Sequence, residues 1–267
     1  MTADPRQLYA EGRLDEAIEA ANARVKAKPT DRDVRGFLVE LLCLRGHFDR
    51  ADKLLEVLSN QDLDAAVTLA LFRQLVRAEQ ARQQFYREGR VPEFLDGAPP
   101  LLSRHLQAAV MLNDGQANDA AQLLAEAETQ RPQLSGVCNG SAFDDFRDLD
   151  DLNAPFLEVL TSTGKYFWVP LDTIVSIEFE APSRPRDLLW RQAQLSVSAG
   201  PDGAVYIPTV YPCADDAPDA VRLGRVTEWT GGDGSPVRGV GQRAFLVGDE
   251  ARPIMELESL HFNEAQG

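Results

Sequence analysis

The sequence predicts an α+β protein in two parts, an all-α helical repeat array followed by a mostly antiparallel β part. Two observations predict this fold: an internal period of 34 residues in the first half, and a change to period-2 alternation from Ser135 onward. Charge divides at the same place. Residues 1–134 carry 17 basic and 21 acidic side chains, a net charge of −4, and residues 135–267 carry 10 and 21, a net charge of −11. We therefore expect two domains, 1–134 and 135–267.

The repeat is defined by glycine, small and apolar positions. Gly12, Leu14, Ala17 and Ala21 recur 34 residues later as Gly46, Phe48, Ala51 and Leu55, and a third copy has Gly115, Ala117, Ala120 and Leu124. Glycine ends the first helix of a hairpin in a left-handed conformation, and alanine allows two helices to cross closely. A helix-turn-helix period of 34 residues is typical of tetratricopeptide repeats, so we describe the array as TPR-like.

Periodicity of 3.6 predicts helices near 15–27, 31–45, 48–59, 63–88, 100–113 and 117–130. In the second hairpin, the expected core is Leu38, Leu41, Leu42 and Leu55. Such arrays leave a concave surface that commonly holds a peptide or helix. The alternative is that the array serves only as a stabilising scaffold.

The second part alternates apolar and polar residues, as half-buried strands do. The predicted strands are 165–169, 175–180, 192–199, 204–210, 243–247 and 254–262. Turns are predicted at Gly200–Gly203 and Gly231–Pro236, and one helical turn at Arg186–Trp190. These elements predict a small sheet or a partly closed barrel.

No motif for catalysis, metal or cofactor binding stands out. The acidic run Asp144–Asp151 fails the calcium-loop pattern, so we expect a solvated connector there. The histidines are isolated from one another and the three cysteines form no CxxC pair, which disfavours a metal site. The net charge of −15 disfavours nucleic acid and anionic membranes as partners. The sequence shows no secretory signal and no stretch that spans a bilayer, so we expect a cytoplasmic protein without cofactor.

Five short sequence motifs occur in this order along the second part: Gly164–Pro170, Arg186–Trp190, Val205–Pro208 with Tyr211-Pro212, Arg222–Trp229 and Gly241–Arg243. Together with the TPR-like helical repeat array, they resemble the ImpE/TagJ family, accessory proteins of bacterial type VI secretion systems. The resemblance covers essentially the whole chain. One departure is Cys213-Ala214, where the family pattern leads us to expect Gly-Ser.

The resemblance implies a non-enzymatic adaptor. It implies binding of the N-terminal helix of the small contractile-sheath subunit, and a link to the ClpV-type ATPase that recycles contracted sheath. An amphipathic helix would lie in a groove between the helical array and the β part. Two alternatives stay open: an enzyme with a polar pocket in the β part, and a structural subunit of a larger assembly.

Aromatic and arginine side chains of the second part are the candidates for binding the peptide, because such residues often anchor interfaces. They are Tyr166, Trp168, Trp190, Tyr206, Tyr211, Arg222, Arg225, Trp229 and Arg243. Core packing is the alternative explanation for the three tryptophans. Internal salt bridges are the alternative explanation for the three arginines.

Overall fold

A computed structural model describes residues 3–61 and 65–263. The helices of the first part are α1 Pro5–Ala10, α2 Leu14–Ala27, α3 Arg32–Arg45, α4 Phe48–Gln61, α5 Ala66–Glu88, α6 Pro100–Asn113 and α7 Ala117–Glu128. The prediction omitted α1 as a separate helix. The helix predicted at 63–88 is α5, which begins at Ala66; residues 63 and 64 of that prediction lie outside the described residues.

The repeat positions have the conformations that their residue types predict. The three repeat glycines, Gly12, Gly46 and Gly115, have φ angles of 82°, 85° and 76°. Only glycine adopts this left-handed region without steric cost, so each can end a helix and reverse the chain. The repeat alanines, Ala17, Ala51 and Ala120, are fully buried between crossing helices. The TPR-like hairpins are therefore present.

Helix α5 is the link between the two parts. It has 23 residues and packs on α4, on α6, and on the strands Phe156–Leu160 and Tyr166–Pro170 of the second part. Its buried face includes Phe72, Leu75, Glu79, Arg82 and Phe85. Among residues 3–61 and 65–263, no helix is both long enough and apolar enough to cross a membrane.

The second part is built from short strands and a short helix. In chain order they are β1 Gly136–Cys138, β2 Ser141–Phe143, β3 Phe146–Asp148, β4 Phe156–Leu160, β5 Tyr166–Pro170, β6 Ile174–Phe179, β7 Trp190–Val197, β8 Gly203–Pro208, α8 Asp219–Arg222, β9 Thr227–Gly232, β10 Ser235–Gly241, β11 Ala244–Val247, β12 Glu250–Pro253 and β13 Ser259–Phe262. The pairs between them are antiparallel.

Within the described chain, the main sheet has eight strands in the order β2-β1-β13-β6-β7-β8-β4-β5. Its ends are not joined, so of the two predicted forms the open sheet is present and the barrel is not. The edge strand β5 is covered by the segment after α5, where Glu93 N donates to Tyr166 O at 2.9 Å. The hairpin β9–β10 and the sheet β12-β11-β3 form two further small sheets, and β10 packs against α7 and α8.

The strand predicted at 254–262 is partly wrong. Ile254–Glu256 form a 3₁₀-helix, and only Ser259–Phe262 are β13. Pro253 fixes φ near −60° and starts the turn of helix. The turn predicted at Arg186–Trp190 is confirmed as a 3₁₀-helix at Pro185–Leu188, after which Trp190 begins β7.

The hydrophobic core crosses from the first part to the second. One buried cluster joins α1–α7 to β4, β5 and the start of β7, and includes Phe156, Trp168 and Trp190. A second cluster lies within the β part, around Ile177 and Phe245. The predicted division at residue 134 falls between α7 and β1, but the first cluster spans it. The division into two independent domains stays a prediction.

Candidate functional site

A group of buried charged and phenolic side chains joins α5 to the β part. Glu158 of β4 lies at its centre and has no exposed surface. Arg82 of α5 donates from Nε and from a terminal nitrogen to the two Glu158 oxygens, both at 3.0 Å. Tyr166 OH donates to Glu158 at 2.5 Å, and Arg243 also donates to it. We call the group the central polar cluster: Arg82, Tyr86, Asp148, Glu158, Tyr166, Tyr211 and Arg243.

The two carboxylates of this cluster have opposite pKa shifts. Burial by itself raises the pKa of Glu158, but Arg82 and Arg243 outweigh it and bring the pKa down to about 2. Burial raises the pKa of Asp148 to about 7, although Arg243 acts in the other direction. Glu158 is therefore ionised at neutral pH. With its two arginines it forms an ionic link between α5 and the β part.

The acidic run Asp144–Asp151 is not a solvated connector, so that prediction is wrong. Asp148 has no exposed surface and accepts from Arg243 at 3.0 Å and from Tyr211 OH at 2.6 Å. Asp150 is equally buried and accepts from Arg238 Nε at 2.8 Å. Their arginine partners follow 95 and 88 residues later in the chain, so the local sequence could not indicate them.

Two of the three tryptophans pack in the shared core. Trp168 stacks on Phe156 with ring centroids 3.7 Å apart, and its Nε1 donates to Tyr166 OH at 2.6 Å. Trp190 packs between helices α4 and α5, and its Nε1 donates to Glu79 at 3.0 Å. Both indole N–H groups are thus satisfied inside the protein, which agrees with the core-packing alternative.

Two arginines of the segment Arg222–Trp229 attach the β part to the carboxyl ends of α1 and α3 in the repeat array. Arg222 donates to Arg45 O at 2.8 Å, at the end of α3. Arg225 donates to the carbonyls of Tyr9 and Ala10, at the end of α1, at 2.9 and 3.1 Å. The last carbonyls of a helix lack intrahelical partners and carry partial negative charge, so arginine stabilises them.

The same segment packs closely on the glycines of two repeat turns. A Cβ atom at Gly12 would lie 2.7 Å from a terminal nitrogen of Arg225, and one at Gly46 would lie 3.3 Å from Arg222. Beside them, Asp219 of α8 accepts from Leu14 N at 2.7 Å and caps α2. Two repeat turns are therefore each contacted by side chains of the second part.

A cleft of about 500 Å³ opens between the helical array and the β part. Its walls are the α3–α4 turn with the first turn of α4, one face of α5, and residues of the 210–222 segment. An adjoining hollow of about 420 Å³ shares Gln83, Arg87, Cys213 and Asp215 with it. Arg87 pairs with Asp215 at 2.5 Å and links α5 to the opposite wall. Most of the accessible side chains here are polar.

The nine predicted residues do not meet in one groove. Tyr211 and Arg222 line the cleft, and Trp190 and Tyr206 line a separate hollow of about 390 Å³ beside α5. Tyr166, Trp168 and Arg243 are enclosed in the core, Arg225 holds the end of α1, and Trp229 is 43% exposed on β9. The enclosed residues cannot contact a docked peptide in this conformation, since they have almost no exposed surface.

The helical half of the central polar cluster was not among the candidates predicted from the sequence. Arg82 and Glu79 of α5 and Glu158 of β4 are central to it, and none was a candidate. A signal was present. Glu158 interrupts the apolar run Phe156–Leu160, and Glu79 and Arg82 lie three residues apart on the buried face of α5. A charge inside an apolar period indicates a buried pair.

The histidines and cysteines take separate places. His105 is buried beside Leu152 O, and burial lowers its pKa to about 4. His47 is exposed at the α3–α4 turn, and His261 pairs with Glu178 at 2.9 Å. The cysteines are free thiols. Over the described ranges, no group of three or more His, Cys, Asp or Glu is placed to hold a metal ion.

Comparison with known proteins agrees with this architecture. A family model described as ImpE protein matches residues 140–261, and one described as Tetratricopeptide repeat matches residues 8–75. The crystal structure of protein VPA1032 from Vibrio parahaemolyticus has a TM-score of 0.91 at 28% identity, with 97% of each chain covered. The type VI secretion system accessory component TagJ of Pseudomonas aeruginosa is 30% identical over 257 residues, which are 96% of this chain and 90% of that protein. The chain belongs to the ImpE/TagJ family.

Proposed function

We propose that this protein is a cytoplasmic accessory component of a type VI secretion system and acts as a non-enzymatic adaptor. Its similarity to TagJ along nearly the whole chain carries this proposal. The partner is the N-terminal helix of the small contractile-sheath subunit, and the complex connects to the ClpV-type ATPase. Both partners come from the family resemblance.

The cleft beside α5 is the proposed binding site for that helix. One turn of an α-helix about 10 Å wide and 5.4 Å long occupies roughly 420 Å³. The cleft of about 500 Å³ accommodates one such turn, and the adjoining hollow continues the path along α5. Gln80, Gln84 and Arg87 of α5 face this path and offer polar contacts to polar side chains of a docked helix.

Of the sequence candidates, those at accessible surfaces remain in the proposal. Tyr211 and Arg222 line the cleft but are only 1% and 6% exposed, so they shape its wall and do not themselves present a surface to the partner helix. Tyr206 and Trp229 lie outside the cleft and would contact only a longer partner segment. The enclosed candidates do not contact the partner helix; they stabilise the cleft wall through the central polar cluster.

The arrangement of the polar groups favours binding over catalysis. Glu158, Asp148 and Arg243 converge in the β part as an enzyme's groups would, yet they have no exposed surface and bond to one another. A substrate in the cleft meets Arg82 and Tyr211, which are already engaged by Glu158 and Asp148. The cluster therefore supports the cleft wall.

A pull-down with the small sheath subunit tests the proposal. Subunit that retains its N-terminal helix should be recovered, and subunit without it should not. Gln80→Trp places a large ring in the cleft and should reduce recovery, whereas Gln122→Trp, on the exposed face of α7, should not. Equal recovery of the subunit with and without its N-terminal helix would contradict the proposal. Adding the ATPase to the same assay tests the second link.

A further inference from the structure

The α3–α4 end of the cleft contains the amino end of a long helix. Helix α4 has 14 residues, and Gly46, His47 and the first turn of α4 line the cleft. The bond from Ala51 N to His47 O, 3.0 Å, begins its ladder. The amides of Phe48, Asp49 and Arg50 therefore precede the helical ladder and carry partial positive charge. Helix amino ends with this exposure bind anions.

Arg222 supplies a second and independent observation at the same place. Its side chain lines the cleft and is only 6% exposed. Its terminal nitrogens donate to Arg45 O and Ala214 O, at 2.8 and 2.7 Å. Its Nε is buried and has no acceptor among the described residues. Buried donors without an acceptor are rare and indicate a missing partner such as water or an ion.

Arg50 and Arg222 have no carboxylate partner among the described residues, whereas Arg45 at the same end pairs with Asp15 at 2.8 Å. Arg50 donates to the Asn22 side chain, not to an acid. The acids of the same cleft are engaged elsewhere: Asp49 accepts from Gln80, Asp215 accepts from Arg87, and Glu79 accepts from Arg82, Gln83 and Trp190. Glu88 is exposed among the residues that line the cleft.

His47 reports the local excess of positive charge. Partial burial lowers its pKa, and Arg45, Arg50 and Arg222 lower it further, while Asp15 opposes them. The cleft as a whole is balanced, since it is lined by four arginines and four acidic residues, so the positive surroundings are local to His47. An anion bound there would raise the pKa of His47, because it favours the charged imidazolium.

We propose that this end of the cleft is an oxyanion-binding site, which holds a carboxylate or phosphate group between the amino end of α4 and the guanidinium groups of Arg50 and Arg222. The inference does not depend on the sheath subunit as partner. The oxyanion could be an acidic side chain of a protein or a free phosphate, and both present the same oxygen acceptors to N–H donors.

Two probes added to ¹⁵N-labelled full-length protein test this site by NMR: inorganic phosphate and N-acetylglutamate amide. Saturable shifts of the Phe48, Asp49 and Arg50 amides and a raised His47 pKa are expected. Arg50→Gln should weaken binding at least about tenfold, as loss of a charge-assisted hydrogen bond does. The control Arg252→Gln, on exposed β12, should leave binding unchanged.

A second variant, which should tighten anion binding where Arg50→Gln weakens it, gives a further test. Asp49→Asn removes a negative charge from the first turn of α4 and keeps an oxygen acceptor for Gln80. It should tighten binding by about two- to fivefold. In the wild-type protein, a lower Kd for phosphate than for the glutamate probe would assign the site to free phosphate, and the reverse order would assign it to an acidic side chain. No saturable shift with either probe, or shifts that Arg50→Gln leaves unchanged, would overturn the proposal.

Discussion

Glu158 should contribute a large share of the folding free energy through its ionised form. Glu158→Gln keeps the shape of the side chain and removes the charge that Arg82 and Arg243 share. The pKa of Glu158 is about 2, compared with an ordinary value of 4.5. At about 1.4 kcal/mol for each pH unit, folding stabilises the carboxylate by about 3 kcal/mol. Breaking a buried ion pair by removing one partner costs about 3–5 kcal/mol, so we expect a loss of about 3 kcal/mol at pH 7.

The pH dependence of this loss follows from the direction of the shift. Because the folded-state pKa is depressed, the stabilisation is fully present above pH 4.5 and is lost as the pH falls toward 2. The pKa of Asp148 is raised to about 7, so its stabilisation is present below its ordinary pKa of 3.8 and is lost as the pH rises through 7. Asp148→Asn should therefore cost less than Glu158→Gln at pH 8.

Urea unfolding followed by circular dichroism measures both effects. Wild type, Glu158→Gln, Asp148→Asn and the exposed control Glu178→Gln should be compared at pH 8 and at pH 4. The control should differ from wild type by less than about 1 kcal/mol, as exposed charges usually do. A Glu158→Gln loss no larger than that of the control, or a larger loss for Asp148→Asn, would refute the account of the central polar cluster.

Three further predictions concern the repeat turns, the domain division and the acidic surface. Gly12→Ala should destabilise the protein by about 1–2 kcal/mol in thermal unfolding, because φ is 82° and the Cβ atom meets Arg225; in an Arg225→Ala background the cost should fall, and an unchanged cost would contradict the contact. The fragment 1–134 should not fold alone, since Arg82 loses Glu158 and the shared core is cut; a cooperative transition in its circular dichroism would show otherwise. Raising salt should slow the association of a basic partner segment, because residues 135–267 carry a net charge of −11. If stopped-flow rates do not change with salt, the acidic surface serves solubility alone.

The helical half of the fold was readable from the sequence because its rules are local. The left-handed glycines and buried alanines recur at a fixed spacing, and each has a steric reason that does not depend on distant residues. The short helix α1 was missed because six residues contain too little of a 3.6-residue period to stand out. Its presence was implied only by Gly12, which needs a preceding helix to end.

The β half was less predictable because its strands are short and paired over long distances. The three-residue strands β1, β2 and β3 contain too few alternations to recognise. Strand β4 is buried at every position, so it shows no alternation at all. Strand β13 pairs with β1, whose residues lie more than a hundred positions earlier in the chain, and with β6, whose residues lie about eighty positions earlier. No local sequence pattern specifies such pairing.

The site was harder to predict than the fold because aromatic and arginine residues serve cores and interfaces equally well. Trp168 and Arg243 have residue types typical of binding anchors, but their partners Tyr166, Asp148 and Glu158 lie inside the protein. Residue type alone could not separate these from exposed Trp229. The cleft itself depends on how α5 and the 210–222 segment come together, which is a property of the folded chain.

A crystal structure of the protein with the N-terminal helix of the small sheath subunit tests the central claim most directly. The account predicts that the helix lies in the cleft, between α5 and the 210–222 segment, with one turn against the amino end of α4. Contact with Gln80, Gln84 and Arg87 is expected. A helix bound to the outer face of the repeat array or to the β9–β10 hairpin, with the cleft empty, would contradict it.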